Sequence, residues 1–100
     1  MDIKNKITIV IVLYNSSDLI FSCLKSLSGF KIIIVDNGKN FHYINELRKI
    51  KDISIISKNK NLGYGSGINF AFKYIKTPFF LVLNPDIEIN QESIFKLYNT

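Results

Sequence analysis

Ile7-Thr8-Ile9-Val10-Ile11-Val12-Leu13 is β-branched and almost entirely apolar. A strand with one wet face alternates polar and apolar residues. A run without alternation reads as a strand covered on both faces, as in parallel sheets. Tyr14-Asn15-Ser16-Ser17-Asp18 follows as turn chemistry, and Ser16 or Ser17 can cap a helix. Leu19, Ile20, Cys23, Leu24 and Leu27 then fall at helical spacing, and Ser28-Gly29 ends that helix.

The same alternation continues outward. Lys31-Ile32-Ile33-Ile34-Val35-Asp36 reads as a second buried strand, broken by Asn37-Gly38, and Tyr43, Ile44, Leu47 and Ile50 mark a second helix. Ile53-Ser54-Ile55-Ile56-Ser57 is a third strand, followed by a polar stretch from Lys58 to Gly67. Ile68, Ala71, Phe72 and Ile75 mark a third helix, stopped by Thr77-Pro78. Phe79-Phe80-Leu81-Val82-Leu83 is an unbroken apolar run and reads as a buried fourth strand. A short extended piece, Ile87-Glu88-Ile89, precedes Asn90, which caps a last helix through Ile94, Leu97 and Tyr98.

Strands alternating with amphipathic helices predict an α/β fold. The expectation is a Rossmann-like three-layer sandwich, β-α-β-α-β-α-β-α, with a mostly parallel sheet and right-handed crossovers. One domain, residues 1–100, is expected, without repeats or linkers. A strand order of 3-2-1-4 leaves strand four without a second neighbour. An unpaired apolar edge invites another chain. A homodimer through strand four or the last helix is therefore expected.

Hydrophobic residues make up 47% of the sequence, enough for a packed core and too many for a disordered chain. The net charge of +5 suits nucleic acid, anionic lipid or phosphorylated substrates. The lysines are scattered along the sequence, which points to a solvated surface and no nucleic-acid partner. Cys23 is the sole cysteine, so neither an internal disulfide nor a cysteine zinc site can form. Its place on a helix's apolar face reads as a buried thiol. Residues 7–13 are too few to span a bilayer, and no cleavage site follows them. A cytoplasmic location is expected, with peripheral attachment at the inner face of the membrane left open.

Ligands of open α/β sheets bind beyond the carboxyl ends of the strands. Tyr14-Asn15, Asp36-Asn37-Gly38, Asn61 to Gly67 and Asn84-Pro85-Asp86 all leave strands at that rim. They bring an aromatic ring, two carboxylates, amides and a glycine loop. A carboxylate such as Asp86 is a natural ligand for a hard cation, which can hold a phosphate. Each segment also has a plain structural reading: strand cover for Tyr14, turn chemistry for Asp36-Asn37-Gly38 and Asp86, backbone freedom for the glycines. Their convergence on one rim favours a site. Gly63-Tyr64-Gly65-Ser66-Gly67 matches a dinucleotide fingerprint only loosely and follows the wrong strand, and there is no P-loop. His42, the single histidine, reads as an exposed helix residue.

Taken in order, Ile9 to Asn15, Ile33 to Gly38, Asn61 to Asn69 and Leu83 to Asp86 resemble the family 2 glycosyltransferases of GT-A fold. The rhamnosyltransferase-like branch that builds bacterial surface polysaccharides is the nearest in pattern. The resemblance implies a nucleotide-sugar donor (a UDP- or dTDP-sugar), a divalent cation (magnesium or manganese), and inverting transfer to a glycan or lipid-linked acceptor. Carried over by position, the donor-contacting set is Leu13, Tyr14, Asn15, Asp36, Asn37, Gly63, Gly67, Asn69, Asn84 and Asp86. Tyr14 and Asp36 would meet the nucleobase, and Asp86 would ligate the metal. Two positions depart from the pattern. Asn84 replaces the first carboxylate of the metal motif, and Leu13 stands where many relatives carry threonine.

The family's acceptor half and its general base follow the metal motif. The expectation is therefore a donor-binding half that is inactive alone, with the catalytic residue unassigned. Glu88 and Glu92 qualify by residue type only. The alternative is a small α/β nucleotide-binding or regulatory module without catalysis.

Overall fold

The computed structural model describes residues 3–13, 19–36, 41–57, 68–69, 71–84 and 90–99. Strand β1 (Ile7–Leu13) is the spine of the sheet, and all seven of its residues are buried. Strand β2 (Lys31–Asp36) pairs with it on one side and β4 (Phe79–Leu83) on the other, while β3 (Ile53–Ser57) lies outside β2. The order is β3-β2-β1-β4 and every pairing is parallel, as the apolar runs predict.

The two faces of β1 feed two apolar clusters. Ile7, Ile9, Ile11 and Leu13, with Ile32 and Ile34, meet Ile20, Cys23, Leu24 and Leu27 of the first helix, α1 (Leu19–Ser26), and its C-terminal turn. Leu47 of α2 (Phe41–Arg48) and Ile94 of α3 (Gln91–Tyr98) join this cluster. On the other face Val10, Val12, Ile33, Val35 and Ile56 pack with Ala71, Ile68 and Ile75. Helical segments thus cover both sides, which makes the three-layer sandwich. Cys23 is fully buried, as its helix position predicts.

Local chemistry sets the element ends. Gly29 closes the turn after α1 at φ +92°, a left-handed conformation that costs glycine little. The Asn90 side chain accepts a 2.7 Å hydrogen bond from the Glu92 amide and caps α3.

Two sequence expectations are corrected. The third helical segment, at 68–69 and 71, tightens into a 3-10 turn over Phe72–Tyr74, and Ile75 is already extended. Phe72 is consequently exposed (46%), not core. Strand β4 is not covered along its length: Phe79 and Phe80 are 54% and 40% exposed, and only Leu83 is buried. The cause is position. Apolar runs report strand propensity, whereas burial also requires neighbours, and among the described strands β4 pairs with β1 alone. Aromatic contacts compensate in part. Phe80 meets Phe72 edge-on at 4.9 Å, and on the opposite face Phe79 meets Tyr98 at 5.4 Å.

Candidate functional site at the carboxyl rim

Parallel pairing delivers the ends of β1, β2 and β3 side by side. Leu13 is in register with Asp36, and Asp36 with Ser57. The last paired residue of β4, Leu83, faces Ile11, two positions short of Leu13. The rim therefore has a step, with β1 and β2 projecting past β4. Asn84 follows Leu83 and is exposed.

Asp36 is the chemically distinctive residue of this rim. Among the described residues, only Thr8 and Asp36 are buried polar side chains, at 3% and 8% exposure. Burying a carboxylate is costly unless it is engaged, and Asp36 does interact with its surroundings.

Thr8 sits at the other end of the sheet, where its burial has a structural explanation. Its Oγ1 lies 2.6 Å from Thr77 Oγ1, and Thr77 Oγ1 donates to the Phe79 carbonyl at 2.7 Å. A hydroxyl has one proton, so Thr8 must donate to Thr77. This relay, together with Phe79 N donating to the Lys6 carbonyl at 3.1 Å, fastens the start of β4 to β1.

The other sequence candidates divide cleanly. Leu13 is fully buried within the larger core cluster, so its side chain supports the rim from below and offers no surface to a ligand. Asn69 is exposed and follows Ile68, which packs on the face made by Val10, Val12, Ile33 and Val35. Tyr14, Asn15, Asn37, Gly63, Gly67 and Asp86 lie outside the described residues, as does Glu88. Glu92 is far from the rim. The side chain of its neighbour Gln91 donates to the Ser28 carbonyl at 2.9 Å, which anchors the start of α3 beside the turn leading into β2. Glu92 itself is exposed and pairs with Lys96 at 3.9 Å. Among the described residues, no group of three His, Cys, Asp or Glu side chains could hold a metal ion.

The sequence model of glycosyl transferase family 2 matches residues 8–100, nearly the whole sheet and all four rim segments. The chain belongs to that family. The Low-salt glycan biosynthesis hexosyltransferase Agl10 of Haloferax volcanii is 36% identical over 92% of this chain and 31% of its own length. The Poly(ribitol-phosphate) beta-glucosyltransferase of Bacillus spizizenii is 33% identical over 94% of this chain and 17% of its length. The Teichoic acid poly(glycerol phosphate) polymerase of Staphylococcus epidermidis is 31% identical over 90% of this chain and 14% of its length. The chain thus spans about a third or less of these curated relatives. The crystal structure of S. aureus TarS 1–349 aligns with a TM-score of 0.77 at 23% identity, over 94% of this chain and 31% of that one. The GT-A fold expected from the resemblance is the fold observed.

Proposed function

We propose that this family 2 chain supplies the donor side of a glycosyltransferase that moves a sugar from a nucleoside diphosphate to a glycan or lipid-linked acceptor, with inversion. The observation that carries the proposal is the family match across residues 8–100. The position of Asp36 supports it: a carboxylate beside the step in the carboxyl rim is well suited to accept hydrogen bonds from a nucleobase or ribose. Tyr14, Asn15, Asn37, Gly63, Gly67, Asn69 and Asn84 are proposed to line the same donor site. The names of the relatives favour glycan or teichoic-acid-type polymer synthesis, and a cytoplasmic location is proposed alongside.

A divalent cation, magnesium or manganese, fits the oxygen donors that Asp86 and Asn84 carry. Asp86 would hold it, with the less charged Asn84 adjacent in sequence. The ion would neutralise charge on the diphosphate. A general base is not assigned. Glu92 is paired on α3 at the wrong end of the sheet, so the 100-residue chain is expected to bind donor without transferring sugar.

Calorimetric titration of the purified chain with UDP and dTDP, with magnesium or manganese present, tests this reading. Binding is expected, weakened roughly 10- to 150-fold by Asp36→Asn, the range for a hydrogen bond to a charged group. Asp86→Ala should abolish the metal dependence. A folded chain that binds neither nucleotide would instead support the small α/β module without catalysis.

The exposed β4 edge supports a further proposal, self-association as a homodimer through β4 and α3. Sedimentation equilibrium at high protein concentration should show the dimer, and Phe80→Lys, at an exposed position of β4, should dissolve it. A clean monomer throughout would refute it.

A further inference from the structure

The lysines that are scattered in the sequence are gathered by the fold. Because all four strands run parallel, their starts share one rim, opposite the donor site. Each strand is preceded or opened by a lysine: Lys6 directly before β1, Lys31 as the first residue of β2, Lys51 two before β3, and Lys76 three before β4. Arg48 and Lys49, at the end of α2 and just after it, approach the same rim and are exposed. Among the described residues, Asp52 is the acid that sits between them, and Glu92 lies at the start of α3 toward the same end. Lys31 and Lys76 line one cleft of about 390 Å³, although they are far apart in sequence.

A second cleft, of about 550 Å³, opens beside this basic rim. Its lining is mainly apolar: Leu24, Leu27 and Phe30 form the buried floor, Phe21 and Ile53 are half-buried walls, and Lys25 and Lys51 flank it. Ile50, after α2, is 38% exposed. The combination matters. A polyphosphate or nucleic acid would use the lysines and leave an apolar cleft idle. An anionic bilayer uses both, with headgroup phosphates on the ammonium groups and apolar side chains at the acyl boundary.

We infer that the amino-terminal rim of the sheet is a docking face for an anionic membrane surface. The orientation follows from the topology. With the strand starts on the bilayer, a strand of six residues at about 3.3 Å each holds Asp36 roughly 20 Å from the headgroups, facing the aqueous side. The inference is independent of nucleotide binding, so either can fail without the other.

Vesicle flotation of the 100-residue chain tests it. Binding is expected to vesicles of phosphatidylcholine with 30% phosphatidylglycerol, and not to phosphatidylcholine alone. Each lysine near such a surface contributes about fivefold to partitioning. Lys76→Gln should therefore reduce binding about fivefold, and the triple change Lys31→Gln, Lys51→Gln, Lys76→Gln about 100-fold. Lys58→Gln, which directly follows Ser57 at the opposite, carboxyl end of β3, should change it less than twofold. Ile50→Ser should reduce it severalfold. Equal binding to both vesicle types, or equal losses from Lys58→Gln and Lys76→Gln, would overturn the proposal. So would insensitivity to Ile50→Ser together with tight binding of inorganic polyphosphate, which would make the rim a soluble-polyanion site. Circular dichroism of Lys76→Gln, a single exposed change, separates lost docking from lost folding.

Discussion

The hydroxyl relay from Thr8 through Thr77 to the Phe79 carbonyl makes a prediction in which a second substitution repairs the first. In Thr77→Val the bond to Phe79 is lost, worth about 1 kcal/mol. The Thr8 hydroxyl, on a residue 3% exposed, also loses its acceptor, and a buried unsatisfied donor costs about 1–3 kcal/mol. The expected total is about 2–4 kcal/mol, or a fall in Tm of roughly 10–30 °C for a domain of this size. In Thr8→Val the donor itself is gone and a methyl group fills its place. Thr77 is half-buried and can turn to water, so the cost should be about 1 kcal/mol or less. The double variant has no orphaned donor at position 8. It should be more stable than Thr77→Val alone by about 1–3 kcal/mol, the cost of the orphaned donor. Urea denaturation of the four proteins measures this directly. Additivity of the two single changes within about 0.5 kcal/mol would refute the donor assignment.

Two further predictions concern packing and capping. Leu13→Ala, at a fully buried core position, should cost about 2–5 kcal/mol in urea denaturation; a loss below 1 kcal/mol would mean that Leu13 belongs to a compliant site wall and not to the core. Asn90→Ala removes the side-chain oxygen that accepts from the Glu92 amide and should cost about 1 kcal/mol, whereas Asn90→Asp, which keeps an acceptor, should stay close to the parent.

All four strands were legible because each is a run of apolar, largely β-branched residues bounded by turn formers such as Asn37-Gly38 or Thr77-Pro78. Their limits in the sequence coincide with those observed for β1, β2, β3 and β4. The parallel order followed from the helical spacing between them. What periodicity could not supply was the position of β4 at an edge. Phe79 and Phe80 look as buried as Ile9 and Val10 when read along the chain, and only pairing distinguishes them. The lysine rim was hidden for the same reason, since its members are neighbours across strands and not along them. At the carboxyl rim, Asp36 was legible as the polar residue that ends an apolar strand. Leu13 was carried into the donor set by resemblance alone, and its burial shows why an apolar residue is at home there.

The latch between Thr8 and Thr77 joins residues 69 positions apart, and this fixes the order in which the sheet can be finished. During synthesis the first three strands emerge early, and β2 and β3 can assemble on one flank of β1. The other flank stays open until β4 has left the ribosome. The strand whose every residue is buried in the finished fold therefore spends the longest time as an unpaired edge, in the interval when a nascent chain is most prone to aggregate. Ribosome-associated chaperones would find their binding segment in Ile7–Leu13, and slower translation before residue 79 should lengthen that interval.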